Sequence, residues 1–125
     1  MVVLAAHAAI FAQDKQEKKD PQYQEPPEED VGSAPKEYTF NPLQASKEVR
    51  IGNYYFKKGS YKAAAHRFEE ALKWNPSLAD AAFRLGEARE KLKDKHGAQD
   101  AFKKYLEIEP DGKEAAAVKK KLGQK

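Results

Sequence analysis

The sequence predicts an all-α fold. It reads as a short helical-repeat solenoid of two helix pairs plus a C-terminal capping helix, preceded by a disordered segment. Three observations predict this. The stretches Arg67 to Pro76, "RFEEALKWNP", and Ala101 to Pro110, "AFKKYLEIEP", say nearly the same thing 34 residues apart. Helix start and stop residues punctuate everything from Asn41 onward. Composition and charge change sharply near residue 41, from acidic and proline-rich to basic and periodic.

Residues 1–12, "MVVLAAHAAIFA", are apolar apart from His7. The run is too short for a membrane-spanning helix, which needs about 20 residues. It has the length of a signal-peptide core, with Ile10-Phe11-Ala12 as a cleavage site before Gln13, although no positive charge precedes it. It is read as a signal-peptide remnant, with a frayed apolar tail on a cytoplasmic protein as the alternative.

Residues 13–40 are read as a disordered, acidic, proline-rich spacer. They contain Pro21, Pro26, Pro27 and Pro35 and few apolar residues. Such a segment buries too little surface to offset the entropy of ordering. Residues 13–44 carry eight acidic against four basic residues, a net of −4. The rest carries 19 basic and 12 acidic residues, a net of +7.

The folded domain is expected over 41–125. "NPLQ" is a helix start: Asn41 caps, Pro42 takes the first helical position, and Gln44 sits where a capping box reaches back. Val49, Ile51, Gly52, Tyr55 and Phe56 follow at helical spacing. Gly59 stops the helix and Ser60 caps the next. Tyr61, Ala64, Ala65, Phe68, Ala71 and Leu72 then share one face, and Asn75-Pro76 ends the second helix.

Residues 45–78 and 79–112 align without a gap, with eight of 34 positions identical. Average residue usage gives about two by chance. A helix pair cannot bury its apolar face alone, so the chain repeats the pair and stacks the copies. Gly52 and Gly86 allow close helix approach, Ala64 and Ala98 are small for the same reason, and Phe68 and Phe102 fill the space between helices. Residues 112–123 are expected to form the capping helix, with Asp111 as cap and Glu114 completing a capping box.

With these residues the chain resembles the tetratricopeptide repeat family. Ile51-Gly52, Tyr55, Ala64, Phe68, Ala71 and Pro76 fit that family's pattern in the first unit. Leu85-Gly86, Ala98, Phe102 and Pro110 fit it in the second. Arg89 stands where an aromatic is usual, Tyr105 where a small residue is usual, and Glu48 and Ala82 replace the tryptophan. An export-like start, a spacer and a short stack together are similar to bacterial envelope repeat proteins, although the chain has no cysteine to carry a lipid anchor.

No catalytic constellation is visible. Cysteine is absent, which excludes disulfides, thiolate metal sites and cysteine nucleophiles. Ser33, Ser46, Ser60 and Ser77 suit loops and caps. His66 and His96 are isolated, without a metal-ligand pattern. Glu69-Glu70, beside Arg67 and Lys73, reads as a solvated face. No glycine-rich phosphate loop exists. No enzyme activity, cofactor, metal or small-molecule substrate is expected.

The resemblance implies a protein-protein interaction adaptor, in which the first helix of each pair lines a concave groove that holds a peptide-like segment. Here that groove takes Ser46, Val49, Arg50, Asn53, Phe56 and Lys57 from the first unit, and Asp80, Phe83, Arg84, Glu87, Glu90 and Lys91 from the second. Phe56 and Phe83 would supply contact, and Arg50, Asn53 and Arg84 would orient carboxylates. Some relatives clamp a C-terminal carboxylate with lysine, asparagine and arginine; Asn53 and Arg84 match part of this, but Val49 replaces the first lysine. The alternative is non-specific nucleic-acid binding by the basic repeats, though dispersed lysine on helices usually serves solubility. Two repeats plus a cap make a short stack, which a homodimer would extend.

The mature chain is expected to begin near Gln13, in the periplasm or cell envelope. Mass spectrometry of the native protein checks this: an intact Met1 in a cytoplasmic fraction contradicts it.

Overall fold

The computed structural model describes residues 37–124. The signal remnant expected at 1–12 and the spacer through residue 36 lie outside the described residues. Within them the chain forms five helices and no strand: α1 (Pro42–Lys57), α2 (Tyr61–Trp74), α3 (Ala79–Lys91), α4 (Lys95–Ile108) and α5 (Ala115–Lys121). Each helix packs on the next, so α2 lies against both α1 and α3, and α4 against both α3 and α5.

One turn chemistry ends three of these helices. After α1, Gly59 has φ of 77°. Its N–H donates to the Phe56 carbonyl and that of Ser60 to the Tyr55 carbonyl, the Schellman arrangement. After α5, Gly123 (φ 72°) repeats it with Lys120 and Lys119. After α3 the same bonds form at Lys93 and Asp94, to Glu90 and Arg89. There the left-handed residue is Lys93, φ 62°, at the position of Gly59 shifted by one repeat.

The caps differ from expectation in three places. Asn41 does cap α1, its Oδ1 accepting from the Gln44 N–H at 3.0 Å. Gln44 does not reach back; its Nε2 donates to Glu48 Oε1 at 3.0 Å, and the Asn41 N–H donates to the Trp74 carbonyl instead. Ser60 stands at the start of α2 without a side-chain capping bond. Asp111 and Glu114 form no capping box, and α5 begins at Ala115 rather than 112. The reason is Tyr105, whose hydroxyl accepts the Glu114 N–H at 2.8 Å. Gly112 leaves room for that hydroxyl: a Cβ there would lie 2.5 Å from it. The turn before α5 is thus held by the tyrosine, and the helix starts only after it.

The core is one contact made twice. A Cβ on Gly52 would lie 2.6 Å from Phe68 Cε1, closer than real atoms approach. Gly86 meets Phe102 more tightly still. Both rings are buried, so neither has space to retreat. Ala64, Ala65, Leu85 and Ala88 surround Phe68, Ala98, Ala115 and Val118 surround Phe102, and Leu72 touches both clusters.

Residues 37–40, assigned to the spacer on sequence, instead belong with the helices. The Tyr38 ring stands edge-on to Trp74 at 4.9 Å. Its hydroxyl donates to Glu70 Oε2 at 2.6 Å, and Lys73 Nζ reaches Glu70 Oε1 at 3.3 Å. The solvated face expected at Glu69-Glu70 is therefore corrected. Glu70 is buried, and Glu69 accepts from Arg89 Nη2 at 3.0 Å. Arg89 also donates to the Gly97 carbonyl at 3.0 Å, tying α3 to both α2 and α4.

Glu48 is buried on α1, bonded to Arg67 Nη1 of α2 at 3.2 Å. One repeat later the same two positions are Ala82 and Ala101, both buried. The chain thus holds a nearly dry ion pair in one repeat and two methyl groups in the other. Removing one partner of such a pair strands a charge, whereas removing both does not. Arg67→Ala is expected to cost about 3 kcal/mol in urea unfolding. Glu48→Ala with Arg67→Ala, which copies the second repeat, is expected to cost distinctly less. Equal losses in the single and double variants would contradict this.

Candidate functional site

The residues expected on the inner face sit on α1 and α3, the two helices that flank α2. The structure sorts them into three groups. Arg50 and Lys57 are exposed and Asn53 is half-buried. Among the described residues no ion pair or side-chain hydrogen bond engages them. They lie within two turns of one helix, so two cations and an amide project from a short stretch.

The second group closes one end of this face. The Phe56 ring meets Tyr61 edge-on at 5.1 Å, and Lys91 Nζ lies 6.0 Å from the Tyr61 ring centre. Tyr61 is the first residue of α2 and joins the C-terminal ends of α1 and α3 there. Phe56 and Lys91, 35 residues apart, are brought together by this ring. Sequence reading placed Tyr61 only in the core; its half-buried position between two expected site residues was not visible from spacing.

The third group is already engaged. Arg84 Nη1 donates to Glu87 Oε1 at 3.1 Å, and its Nε lies 3.8 Å from Asp80 Oδ1. That Nε is buried without a hydrogen-bond partner among the described residues. Phe83 packs inward, its ring centre 6.1 Å from Phe102 and 5.8 Å from Tyr105. It is half-buried and offers only part of its ring to the face. Val49 is buried in the core, so an alkyl side chain, not a lysine, suits that place. Ser46 and Asp80 are exposed, and Glu90 accepts from Lys121 of α5 at 2.8 Å.

The histidines contribute no centre. His66 is exposed. His96 Nε2 lies 3.5 Å from Asp100 Oδ2, with both side chains largely in water. Among the described residues no three His, Cys, Asp or Glu side chains gather to hold a metal. No described helix is long and apolar enough to cross a membrane.

Antiparallel helix pairs repeated at a fixed interval, each closed by a phenylalanine on a bare glycine, define a helical-repeat module. The tetratricopeptide repeat family model matches residues 49–113, and the chain belongs to that family, whose members are typically protein-interaction modules. No curated protein matches it. Among solved structures, the first TPR of Spaghetti (RPAP3) bound to the HSP90 peptide SRMEEVD is 21% identical, with a TM-score of 0.33. That match covers 66% of this chain and 94% of the other.

Proposed function

We propose that this chain is a non-catalytic adaptor whose α1–α3 face holds an acidic, peptide-like segment of a partner protein. The observation that carries the reading is the charge left unengaged on α1. Arg50 and Lys57 flank Asn53 with no carboxylate bonded to them among the described residues. Charge-assisted hydrogen bonds from such groups orient carboxylates strongly. The Phe56–Tyr61–Lys91 cluster lies beyond them and supplies an aromatic anchor beside a further cation.

Arg84 plays a smaller part in this reading than Arg50. Asp80 and Glu87 already neutralise its guanidinium, so a ligand carboxylate has to displace one of them. Non-specific nucleic-acid binding is the rival. It needs charge but not Phe56, and it weakens steeply with salt.

A glutamate-rich peptide ending in a free carboxylate, titrated against the full chain, tests the proposal. Arg50→Ala and Phe56→Ala are each expected to weaken binding about tenfold, and Arg84→Ala by less. If both bind the peptide as the unsubstituted chain does, the face is wrongly assigned. If single-stranded DNA binds more tightly and ignores Phe56→Ala, the rival holds.

A further inference from the structure

The excess negative charge ahead of the repeats is concentrated in one place. Residues 13–44 carry a net of −4, and all of it lies in the six residues from Glu25 to Asp30, "EPPEED". Residues 13–24 hold three acidic and three basic residues and sum to zero. On the α1–α3 face, Arg50 and Lys57 are exposed, and no carboxylate bonds them among the described residues. They are seven residues apart on α1, two turns, so they project on the same side. One chain thus carries an acidic run and a basic pair that could answer it. Whether they meet depends on the length of chain between them and on where that chain joins the fold.

The structure fixes that junction. Tyr38 is held by Trp74 and Glu70, and the Asn41 N–H donates to the Trp74 carbonyl. The chain therefore joins the fold beside the first turn of α1. From Pro42, Arg50 lies eight residues along the helix and Lys57 fifteen, about 12 Å and about 22 Å of axial rise. Asp30 precedes Glu37 by seven residues and Glu25 precedes it by twelve, which reach about 23 Å and about 40 Å when extended. The intervals agree as well. Arg50 and Lys57 are about 10 Å apart along the axis, and Glu25 and Glu28 span about 10 Å of extended chain. A segment running back along α1 brings Glu28 to Arg50 and Glu25 to Lys57. Pro26 and Pro27 lie between those glutamates, and their fixed φ lowers the entropy that docking has to offset.

We propose that residues 25–30 are an internal ligand of the α1–α3 face, which a partner segment has to displace. The inference rests on the reading of that face as a site for acidic segments. Its consequence is a threshold. A short tether holds the internal segment at an effective concentration of about 1 mM, so an intrinsic dissociation constant of about 0.1 mM weakens every competing ligand about tenfold. Weakly acidic segments then fail to bind, and strongly acidic ones still do.

The test compares the full chain with a variant of equal length carrying Glu25→Gln, Glu28→Gln, Glu29→Gln and Asp30→Asn. Two readouts are taken: affinity for the glutamate-rich peptide, and the amide resonances of both chains without peptide. The neutralised chain is expected to bind the peptide about tenfold more tightly, with a gap that shrinks as salt is raised to about 0.5 M. Amides of residues 50–57 are expected to shift between the two chains, and those of α4 to stay in place. Tighter binding with unmoved amides at 50–57 is charge repulsion at a distance and overturns the proposal. Equal affinity with unmoved amides overturns it and leaves the acidic-peptide reading intact. If the peptide binds neither chain, that reading fails, and the amides still decide: shifted ones uphold the internal contact and unmoved ones overturn it. A shift that grows with protein concentration places the segment on a second copy and overturns the internal contact.

Discussion

A phenyl ring seated on bare helix backbone, once in each repeat, sets the distance between helices on which all else depends. Phe68 on Gly52 fixes α1 against α2, and Phe102 on Gly86 fixes α3 against α4. Because the two contacts lie one period apart, the pairs they form have the same shape and can stack. Leu72 then serves both clusters, which couples the repeats through packed volume rather than through turns alone. The spacing of α1 and α3 across α2, and hence the face carrying Arg50, Asn53 and Phe56, follows from this geometry.

Around the fixed contact the two repeats use different chemistry at equivalent points. The first sets Glu48 against Arg67 where the second sets Ala82 against Ala101. The second sends Arg89 to Glu69 and the Gly97 carbonyl from the place where the first has Tyr55. Tyr105 replaces Ala71 and uses the extra volume to reach the Glu114 amide. In each case these polar side chains are hydrogen-bonded, as buried polar groups require. The charges differ accordingly: among the described residues no carboxylate bonds Arg50 or Lys57 on α1, whereas Arg84 and Arg89 on α3 are paired.

Much of the fold was legible because it rests on periodic signals. The apolar spacing, the glycine stop at Gly59 and the proline breaks placed all five helices, and the repeat aligned the glycine with its phenylalanine. What was not legible came from contacts across sequence distance. Tyr38 was read with the spacer because its neighbours are polar, yet Trp74 and Glu70 hold it. Glu70 looked solvated beside Lys73, but it is buried and accepts from Tyr38, 32 residues away. The start of α5 was misplaced because Asp111 and Glu114 fit a local capping pattern, while Tyr105 takes the Glu114 amide first. At the candidate site, sequence gave the residue types on α1 and α3. The spacing put Asp80 and Glu87 within reach of Arg84 on the same helix, but the pairing depends on rotamer; that Phe83 turns inward depends on Phe102 and Tyr105 of α4.

The measurement that tests the central contact most directly is the unfolding free energy of Gly86→Ala. Alanine is favoured over glycine in a helix interior by about 1 kcal/mol. The helix alone therefore predicts a gain in stability. The ring of Phe102 has no room for the added methyl, and overpacking of this kind typically costs about 1–3 kcal/mol. The account predicts a net loss in Gly86→Ala that is relieved when Phe102 is also changed to leucine. A gain in stability in Gly86→Ala with Phe102 intact would contradict it.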